Sequence, residues 1–143
     1  MLWDFKTKIP DFPFTIIQPI AWGDMDALGH VNNVVYARYF ETARARFFTD
    51  QALWDEPNRP QGEGVILVRQ ELIYRAQVRF PATLRIHVGI LEIFSRAFRM
   101  GCKMYKENEL CCEGVADLLW IDFTTQKTLR IPDHIRRLAF KKT

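Results

Sequence analysis

The fold is decided by residues 22–44, which read Trp-Gly-Asp-Met-Asp-Ala-Leu-Gly-His-Val-Asn-Asn-Val-Val-Tyr-Ala-Arg-Tyr-Phe-Glu-Thr-Ala-Arg. Two carboxylates, Asp24 and Asp26, stand in a glycine-bounded loop, and an amphipathic helix is predicted to open just after it, at Asn32 or Asn33. A helix start presents unsatisfied backbone N–H groups and a partial positive charge. A carboxylate beside such N–H groups suits carbonyl chemistry, because the N–H groups can hold an oxyanion.

The helix after the loop is predicted from an apolar stripe that recurs every four residues, at Val35, Tyr39, Ala43 and Phe47. Asn32 is a suitable N-cap, because its side chain can accept from the free N–H groups of the first turn. We expect the helix to end near Asp50. Proline and glycine residues then predict a loop over residues 55–64.

The second half of the chain has the pattern of β-strands. Apolar and polar residues alternate with period two over residues 66–80, 84–90 and 98–104, which predicts strands with one buried face. A more uniformly apolar run spans residues 110–123, and Gly101 is interpreted as a bulge. A hairpin turn is predicted over 124–127, followed by a short strand over 128–131 and a short helix after Pro132.

The order of elements predicts the fold class. Residues 12–22 suit a first strand, in which Pro19 requires an edge position or a bulge. One long helix cannot cover both faces of a sheet of five or six strands, and strands of about 12 residues require the sheet to curve. We therefore expect a single α+β domain over residues 1–143, in which a curved antiparallel sheet of five or six strands wraps around a long central helix.

Composition excludes several classes of function. The net charge of +3 is less than a nucleic-acid-binding protein requires, although it would favour a phosphate-bearing small ligand. No apolar run approaches the roughly 18 residues of a membrane span, and the N-terminus lacks the apolar core of a signal peptide. The three cysteines include a vicinal pair and make a poor disulfide framework. Free thiols indicate a reducing compartment, so we expect a cytoplasmic protein without nucleic-acid or membrane partners.

The string Gly23-Asp24-Met25-Asp26-Ala27-Leu28-Gly29 closely resembles the signature of the 4-hydroxybenzoyl-CoA thioesterase-like family of hotdog-fold acyl-CoA thioesterases. The resemblance extends over residues 12–131 and implies the hotdog fold and hydrolysis of an acyl-CoA thioester to a free acid and coenzyme A. It implies that Asp26 is the catalytic carboxylate, as a nucleophile or as a general base, and that the oxyanion is held by the backbone N–H of Asn33. The family's aromatic-substrate branch has Asp-Pro-Ala-Gly at this point, so this chain looks more like general acyl-CoA thioesterases.

Other residues are candidates for substrate binding. Gly29 permits the backbone turn, His30 is expected to order the loop by hydrogen bonding, and Asn32 caps the helix. One side of two strands that we expect to be neighbours carries arginines that could together meet the phosphates of coenzyme A, namely Arg75, Arg79 and Arg85. The alternative for each arginine is a solvated sheet face.

Several alternatives stay open. Asp24 and Asp26 could be ordinary turn residues, or could form a facial metal triad with His30, although the remaining histidines have no ligand-like neighbours. The resemblance implies no metal and no cofactor, and it implies a homodimer or homotetramer with sites at subunit interfaces. The same fold could instead serve as a non-enzymatic acyl-CoA-binding or interaction module. A dehydratase would need a basic histidine, for which His30 is the candidate.

Overall fold

The computed structural model describes residues 3–52 and 62–141. In chain order their elements are β1 (Thr15–Pro19), a short 3-10 helix (Trp22–Asp24), α1 (Asn33–Asp50), β2 (Glu63–Tyr74), β3 (Thr83–Ile93), β4 (Ala97–Lys106), β5 (Glu109–Asp122), β6 (Lys127–Thr128) and α2 (Asp133–Arg136). The strands form one antiparallel sheet in the order β1-β3-β4-β5-β2, with β6 paired to the end of β5. A six-stranded antiparallel sheet with one long helix is the hotdog fold, as the sequence predicted.

Helix α1 begins and ends where its sequence signals place it. Asn32 is the N-cap, and its Oδ1 accepts a hydrogen bond of 3.1 Å from the Val34 N–H. The helix continues to Asp50. Its buried face consists of Tyr36, Tyr39, Phe40, Ala43, Arg44, Phe47 and Phe48. These side chains share one core with the inward-facing residues of β3, which are Leu84, Ile86, Val88 and Ile90.

The outer face of the sheet is covered by the N-terminal segment, residues 3–14. Ile9 and Phe12 are almost fully buried there and pack with Val115 of β5 in a second, smaller apolar cluster. A Cβ atom on Gly89 would lie 2.4 Å from the Phe12 ring, so glycine is required for this close approach. The N-terminal segment therefore buries this part of the outer face.

Gly101 also belongs to this contact, and its predicted role as a bulge is wrong. It pairs in register with Gly89, and the register shifts between β3 and β4 lie between Ile90 and Glu92. A Cβ atom on Gly101 would lie 2.6 Å from Leu91, which packs against the outer-face cluster. Gly101 is therefore a glycine because side chains pack closely against the outer face of the sheet at this point, and not because the strand has a bulge there.

Strand β2 differs most from the sequence prediction. The alternation over residues 66–80 predicted one continuous strand with a buried face, but β2 ends at Tyr74 and residues 75–82 leave the sheet. Ile66 and Val68 are 37% and 53% exposed, so their predicted burial is wrong. These side chains are exposed because β2 is an edge strand. It pairs with β5 on one side and has no other strand beside it among the described residues.

The remaining predictions concern chain ends and connections. β1 is the opposite edge of the sheet, as Pro19 required, and Pro19 is its last residue. The hairpin turn predicted over 124–127 lies one residue earlier, at 123–126, and the strand predicted over 128–131 is shorter, at Lys127–Thr128. The predicted short helix is α2, and Pro132 stands just before it at the N-cap position. Most of the predicted loop over 55–64 lies outside the described residues, and Glu63 and Gly64 already belong to β2. Within residues 3–52 and 62–141, no helix has both the length and the apolar character needed to cross a membrane.

Candidate active site

A pocket of about 370 Å³ lies at the N-terminus of α1. One wall is the loop that precedes the helix, and the other is the chain that leaves the end of β2. Its lining residues are Asp26, Leu28, His30, Val31, Asn33, Tyr36, Tyr74, Arg75, Ala76 and Gln77. Two segments far apart in sequence thus form one cavity, and it contains both residues predicted to be catalytic, Asp26 and Asn33.

The loop around Asp26 is a compact turn held by its own backbone. The Asp26 N–H donates to the His30 carbonyl at 3.0 Å, and the Gly29 N–H donates to the Asp26 carbonyl at 3.0 Å. Gly29 has φ +84°, a left-handed conformation that favours glycine. The Leu28 N–H donates to Asp26 Oδ1 at 2.9 Å. Oδ2 of Asp26 has no partner among the described residues, so one oxygen is fixed and the other stays available to a ligand.

Asp24 is a structural carboxylate, in contrast to Asp26. Its Oδ1 accepts from Arg38 at 2.7 Å, and its Oδ2 accepts from the Tyr39 hydroxyl at 2.5 Å and from the Ala21 N–H at 3.0 Å. Burial raises the pKa of Asp24, but these hydrogen bonds and the Arg38 charge outweigh it and lower the pKa below 3.8. Asp24 therefore remains ionised and fully occupied with protein partners.

The N–H predicted to be the oxyanion donor lies at the start of α1. The Val34 N–H is capped by the Asn32 side chain, and the Val35 N–H donates to the Asn32 carbonyl at 2.9 Å. The N–H of Asn33 has no acceptor within residues 3–52 and 62–141. A free N–H at a helix N-terminus, in the same pocket as a carboxylate, is the arrangement that stabilises negative charge on a carbonyl oxygen.

The second wall is fastened to the loop by backbone hydrogen bonds. The Val31 N–H donates to the carbonyl of the fully buried Val78 at 2.8 Å. The Tyr74 hydroxyl donates to the Asn33 carbonyl at 3.2 Å, and its ring contacts that of Tyr36 at a centroid distance of 5.4 Å. The end of β2 is therefore tied to the helix start, which fixes the width of the pocket.

The structure gives the predicted binding residues of the loop distinct places. His30 lines the pocket and its Nδ1 lies 3.3 Å from the Val31 carbonyl. Asn32 does not line the pocket. Its side chain caps the helix, and its N–H donates to the Asp24 carbonyl at 3.0 Å. Gly29 shapes the turn below the pocket, where a Cβ atom would lie 3.9 Å from an Nη atom of Arg79.

The three arginines do not lie together, and the expectation that they occupy neighbouring strands is wrong. β2 pairs with β5, whereas β3 pairs with β1 and β4. Arg75 lies just beyond β2, lines the pocket and bonds Glu113 at 3.0 Å, and Arg79 lies beside the loop. Arg85 lies on β3, where its guanidinium donates to His87 at 3.1 Å and to the Glu107 carbonyl at 3.4 Å. It is not part of the pocket lining.

The described residues do not form the metal site that Asp24, Asp26 and His30 could have made. No group of three or more potential metal ligands lies together in the part of the chain that the structure describes. The Asp24 carboxylate, which a triad with Asp26 and His30 would need, is engaged by Arg38 and Tyr39.

Sequence reasoning missed the aromatic part of the pocket. The sequence patterns single out none of Tyr36, Tyr74 and Gln77 as site residues, yet all three line the cavity. The available signal was chemical: an apolar helix stripe with tyrosine rather than phenylalanine places a hydroxyl in the interior.

Comparison with known proteins finds a matching family and several similar folds. Residues 20–138 match the family model of the thioesterase-like superfamily. A thioesterase from Thermus thermophilus, solved with coenzyme A and zinc, is 24% identical, with a TM-score of 0.78 over 89% of this chain and 97% of that chain. A Pseudomonas aeruginosa protein is 26% identical, with a TM-score of 0.79 over 86% of this chain and 95% of that chain. A gentisyl-coenzyme A thioesterase is 21% identical, with a TM-score of 0.76 over 87% of this chain and 98% of that chain. No curated protein is significantly similar in sequence.

Proposed function

The chain belongs to the thioesterase-like superfamily, and we propose that it hydrolyses an acyl-CoA thioester to a free acid and coenzyme A. One observation carries the proposal. The same pocket contains a carboxylate with an available oxygen, on Asp26, and a helix-start N–H without an acceptor among the described residues, on Asn33. Membership of the superfamily indicates thioester hydrolysis as the class of reaction, and these two groups are the ones that such a reaction needs.

The proposed chemistry uses each group once. The thioester carbonyl oxygen accepts a hydrogen bond from the Asn33 N–H, which stabilises the negative charge that develops on it during attack. Asp26 either attacks the carbonyl carbon or takes a proton from an attacking water. In the first route the C–S bond breaks to release coenzyme A, and water then hydrolyses the mixed anhydride. In the second, water supplies the new C–O bond directly. Both routes end with the free acid and the thiol.

The basic residues at the rim suit the nucleotide end of the substrate. Arg75 lines the pocket and Arg79 lies beside the Gly29 turn. Guanidinium groups bind phosphate oxygens through charge-assisted hydrogen bonds. Arg75 already bonds Glu113 through Nε, which orients its terminal nitrogens and leaves them for a ligand. We therefore assign the coenzyme A phosphates to Arg75 and Arg79 rather than to Arg85.

The exposed edge of β2 supports a homodimer. Ile66, Leu67 and Val68 are consecutive apolar residues with 37%, 44% and 53% of their surface exposed. An edge strand with apolar side chains is a template for pairing with another strand. A second copy of this chain would complete the sheet and cover these residues, and β2 leads directly to Tyr74 in the pocket. Cys102, Cys111 and Cys112 are free and buried, which fits the proposed cytoplasmic location.

The proposal is tested by incubating the purified protein with a panel of acyl-CoA thioesters and detecting the released thiol. Turnover of at least one member at ordinary enzymatic rates, roughly 1 per second or faster, supports hydrolysis. Binding of acyl-CoA without release of thiol would instead establish the alternative, a non-enzymatic acyl-CoA-binding module on the same fold.

A further inference from the structure

Tyr36 carries a polar group that the protein leaves unsatisfied. Its side chain is only 3% exposed, and it lines the candidate pocket. Its hydroxyl makes no hydrogen bond within residues 3–52 and 62–141. The next tyrosine on the same helix, Tyr39, is equally buried but donates to Asp24 at 2.5 Å. The buried side-chain atom without a partner among the described residues is Trp3 Nε1, so the Tyr36 hydroxyl itself reaches the pocket surface, where a ligand could accept its hydrogen bond.

The Tyr36 hydroxyl can act on such a ligand as a hydrogen-bond donor. Burial, together with the nearby Cys112, Cys111 and Tyr74 groups, raises the pKa of Tyr36 far above its usual value. The hydroxyl therefore keeps its proton at neutral pH. The neighbouring Tyr74 hydroxyl already donates to the Asn33 carbonyl, so the Tyr36 proton is the one available to a ligand.

The position of Tyr36 relates the donor to the reacting carbonyl. It lies three residues after Asn33, which is about 4.5 Å along the helix axis. Beyond Tyr36 the interior is closed, because Phe40 is fully buried and a Cβ atom on Gly114 would lie 2.4 Å from Leu72 and 3.4 Å from Phe40. An acyl group whose carbonyl is held by the Asn33 N–H therefore lies in the same pocket as Tyr36, and the close packing at Phe40 and Gly114 favours a short one.

From these contacts, and on the basis of the proposed function, we infer the substrate class: a short acyl group that carries an oxygen acceptor a few bonds beyond the thioester carbonyl. A hydroxyl or keto oxygen at the third carbon of the acyl chain accepts from the Tyr36 hydroxyl. Tyr36 is then the residue that distinguishes an oxygenated acyl group from an apolar one of equal length.

The inference is tested by binding, so that it does not depend on hydrolysis. Two hydrolysis-resistant thioethers of coenzyme A, S-butyl and S-(3-hydroxybutyl), differ only in the oxygen, and calorimetry gives the dissociation constant of each. A neutral hydrogen bond predicts that the wild type binds the hydroxylated analogue about threefold to tenfold more tightly. Tyr36→Phe removes only the oxygen and should abolish this preference while keeping the affinity for the butyl analogue. Tyr105→Phe removes a phenolic hydroxyl that bonds Asp11 outside the pocket and should keep the preference.

The outcomes separate the inference from the proposed function. A preference that Tyr36→Phe abolishes establishes the inference, even if no thioester is hydrolysed and the proposed function fails. Equal affinities in the wild type, a preference that persists in Tyr36→Phe, or binding of neither analogue would overturn it. If the Tyr36→Phe variant does not fold, the ratio of the two dissociation constants of the wild type decides: a preference for the hydroxylated analogue supports the inference, and equal constants overturn it. With hydrolysable thioesters, the same ratio should appear in kcat/KM for 3-hydroxybutanoyl-CoA over butanoyl-CoA.

Discussion

The Tyr39 hydroxyl donates a hydrogen bond of 2.5 Å to Asp24, and this contact separates the roles of two carboxylates that lie two residues apart. Asp24 is 9% exposed and holds the 3-10 helix to α1 through Tyr39 and Arg38. The Asp26 side chain lines the pocket, and its one hydrogen-bond partner among the described residues is the Leu28 N–H. The first carboxylate holds the loop in place, and the second has an oxygen that a ligand in the pocket could reach.

Substitution of each carboxylate by its amide should therefore have opposite consequences. Asp26→Asn removes the reacting charge and should lower kcat roughly a thousandfold or more while acyl-CoA is still bound. Asp24→Asn should retain most of the activity of the folded protein but lose about 1–3 kcal/mol of stability, because it weakens hydrogen bonds to a charged group. Steady-state kinetics and urea unfolding measure the two effects. A kcat for Asp26→Asn close to the wild-type value would rule out the catalytic assignment.

The proposed oxyanion donor can be removed without changing the helix. Asn33 is the first residue of α1, where proline is well accommodated, and its N–H has no acceptor to lose among the described residues. Asn32 is in an extended conformation with ψ 139°, which a following proline favours. Asn33→Pro should therefore keep the melting temperature and lower kcat roughly a hundredfold or more.

Asn33→Ala is the matched control for the proline variant. It retains the N–H and removes only the side chain, so its kcat should stay near that of the wild type. A folded proline variant with the same kcat as the alanine variant would place the oxyanion site elsewhere in the pocket.

The elements that could be predicted from sequence are those with strong local signals. The limits of α1 followed from the Asn32 cap and the apolar stripe, and the loop around Asp26 followed from its glycines. The wall formed by residues 74–79 could not be predicted, because the alternation of β2 continues past Tyr74 and gives no sign that the chain leaves the sheet. The exposure of Val68 and the burial of Val115 beneath the N-terminal segment depend on the order of the strands in the sheet. Strand order is a tertiary property, which local sequence patterns do not predict.

If Arg75 and Arg79 bind the phosphates of coenzyme A, their substitution should raise KM only for substrates that carry the nucleotide. Arg79→Glu should raise KM for acyl-CoA, because it places a negative charge where phosphate is proposed to bind, and should leave hydrolysis of a short thioester without nucleotide unchanged. Arg75→Gln is preferred to Arg75→Glu, since a glutamate would face the buried Glu113. Arg46→Glu, on an exposed position of α1, controls for the change in net charge.

Substitution of Arg85 tests whether the nucleotide binds beside the pocket, because Arg85 lies away from it. Its guanidinium lies on the outer face of the sheet, 5.1 Å from the centre of the Tyr105 ring. We expect Arg85→Glu to leave KM for acyl-CoA unchanged. An increase in KM comparable to that of Arg79→Glu would favour the prediction made from sequence, in which the three arginines act together.

The apolar edge of β2 predicts the oligomeric state. Light scattering at micromolar concentration should give at least twice the chain mass of 16.9 kDa. Val68→Lys places a charge on the edge and should shift the protein towards the monomer with loss of activity, because β2 also positions Tyr74. Ile17→Lys is the control, since Ile17 is 62% exposed on the opposite edge strand. A stable and fully active monomeric wild type would contradict both the dimer and an interfacial site.

Tyr36 and Tyr39 provide a matched pair in which the same substitution should have different effects on stability. Tyr39→Phe removes a hydrogen bond to an ionised carboxylate and should cost about 1.5–3 kcal/mol in the free energy of unfolding. Tyr36→Phe removes a hydroxyl that reaches the pocket and has no hydrogen-bond partner among the described residues, so the stability should be almost unchanged. For a chain of this length, a loss of 1 kcal/mol lowers the melting temperature by about 2–4 °C, so calorimetry without ligand resolves the difference. Equal destabilisation by both substitutions would show that the Tyr36 hydroxyl is satisfied in the free protein, and the reason to assign it to a ligand would be lost.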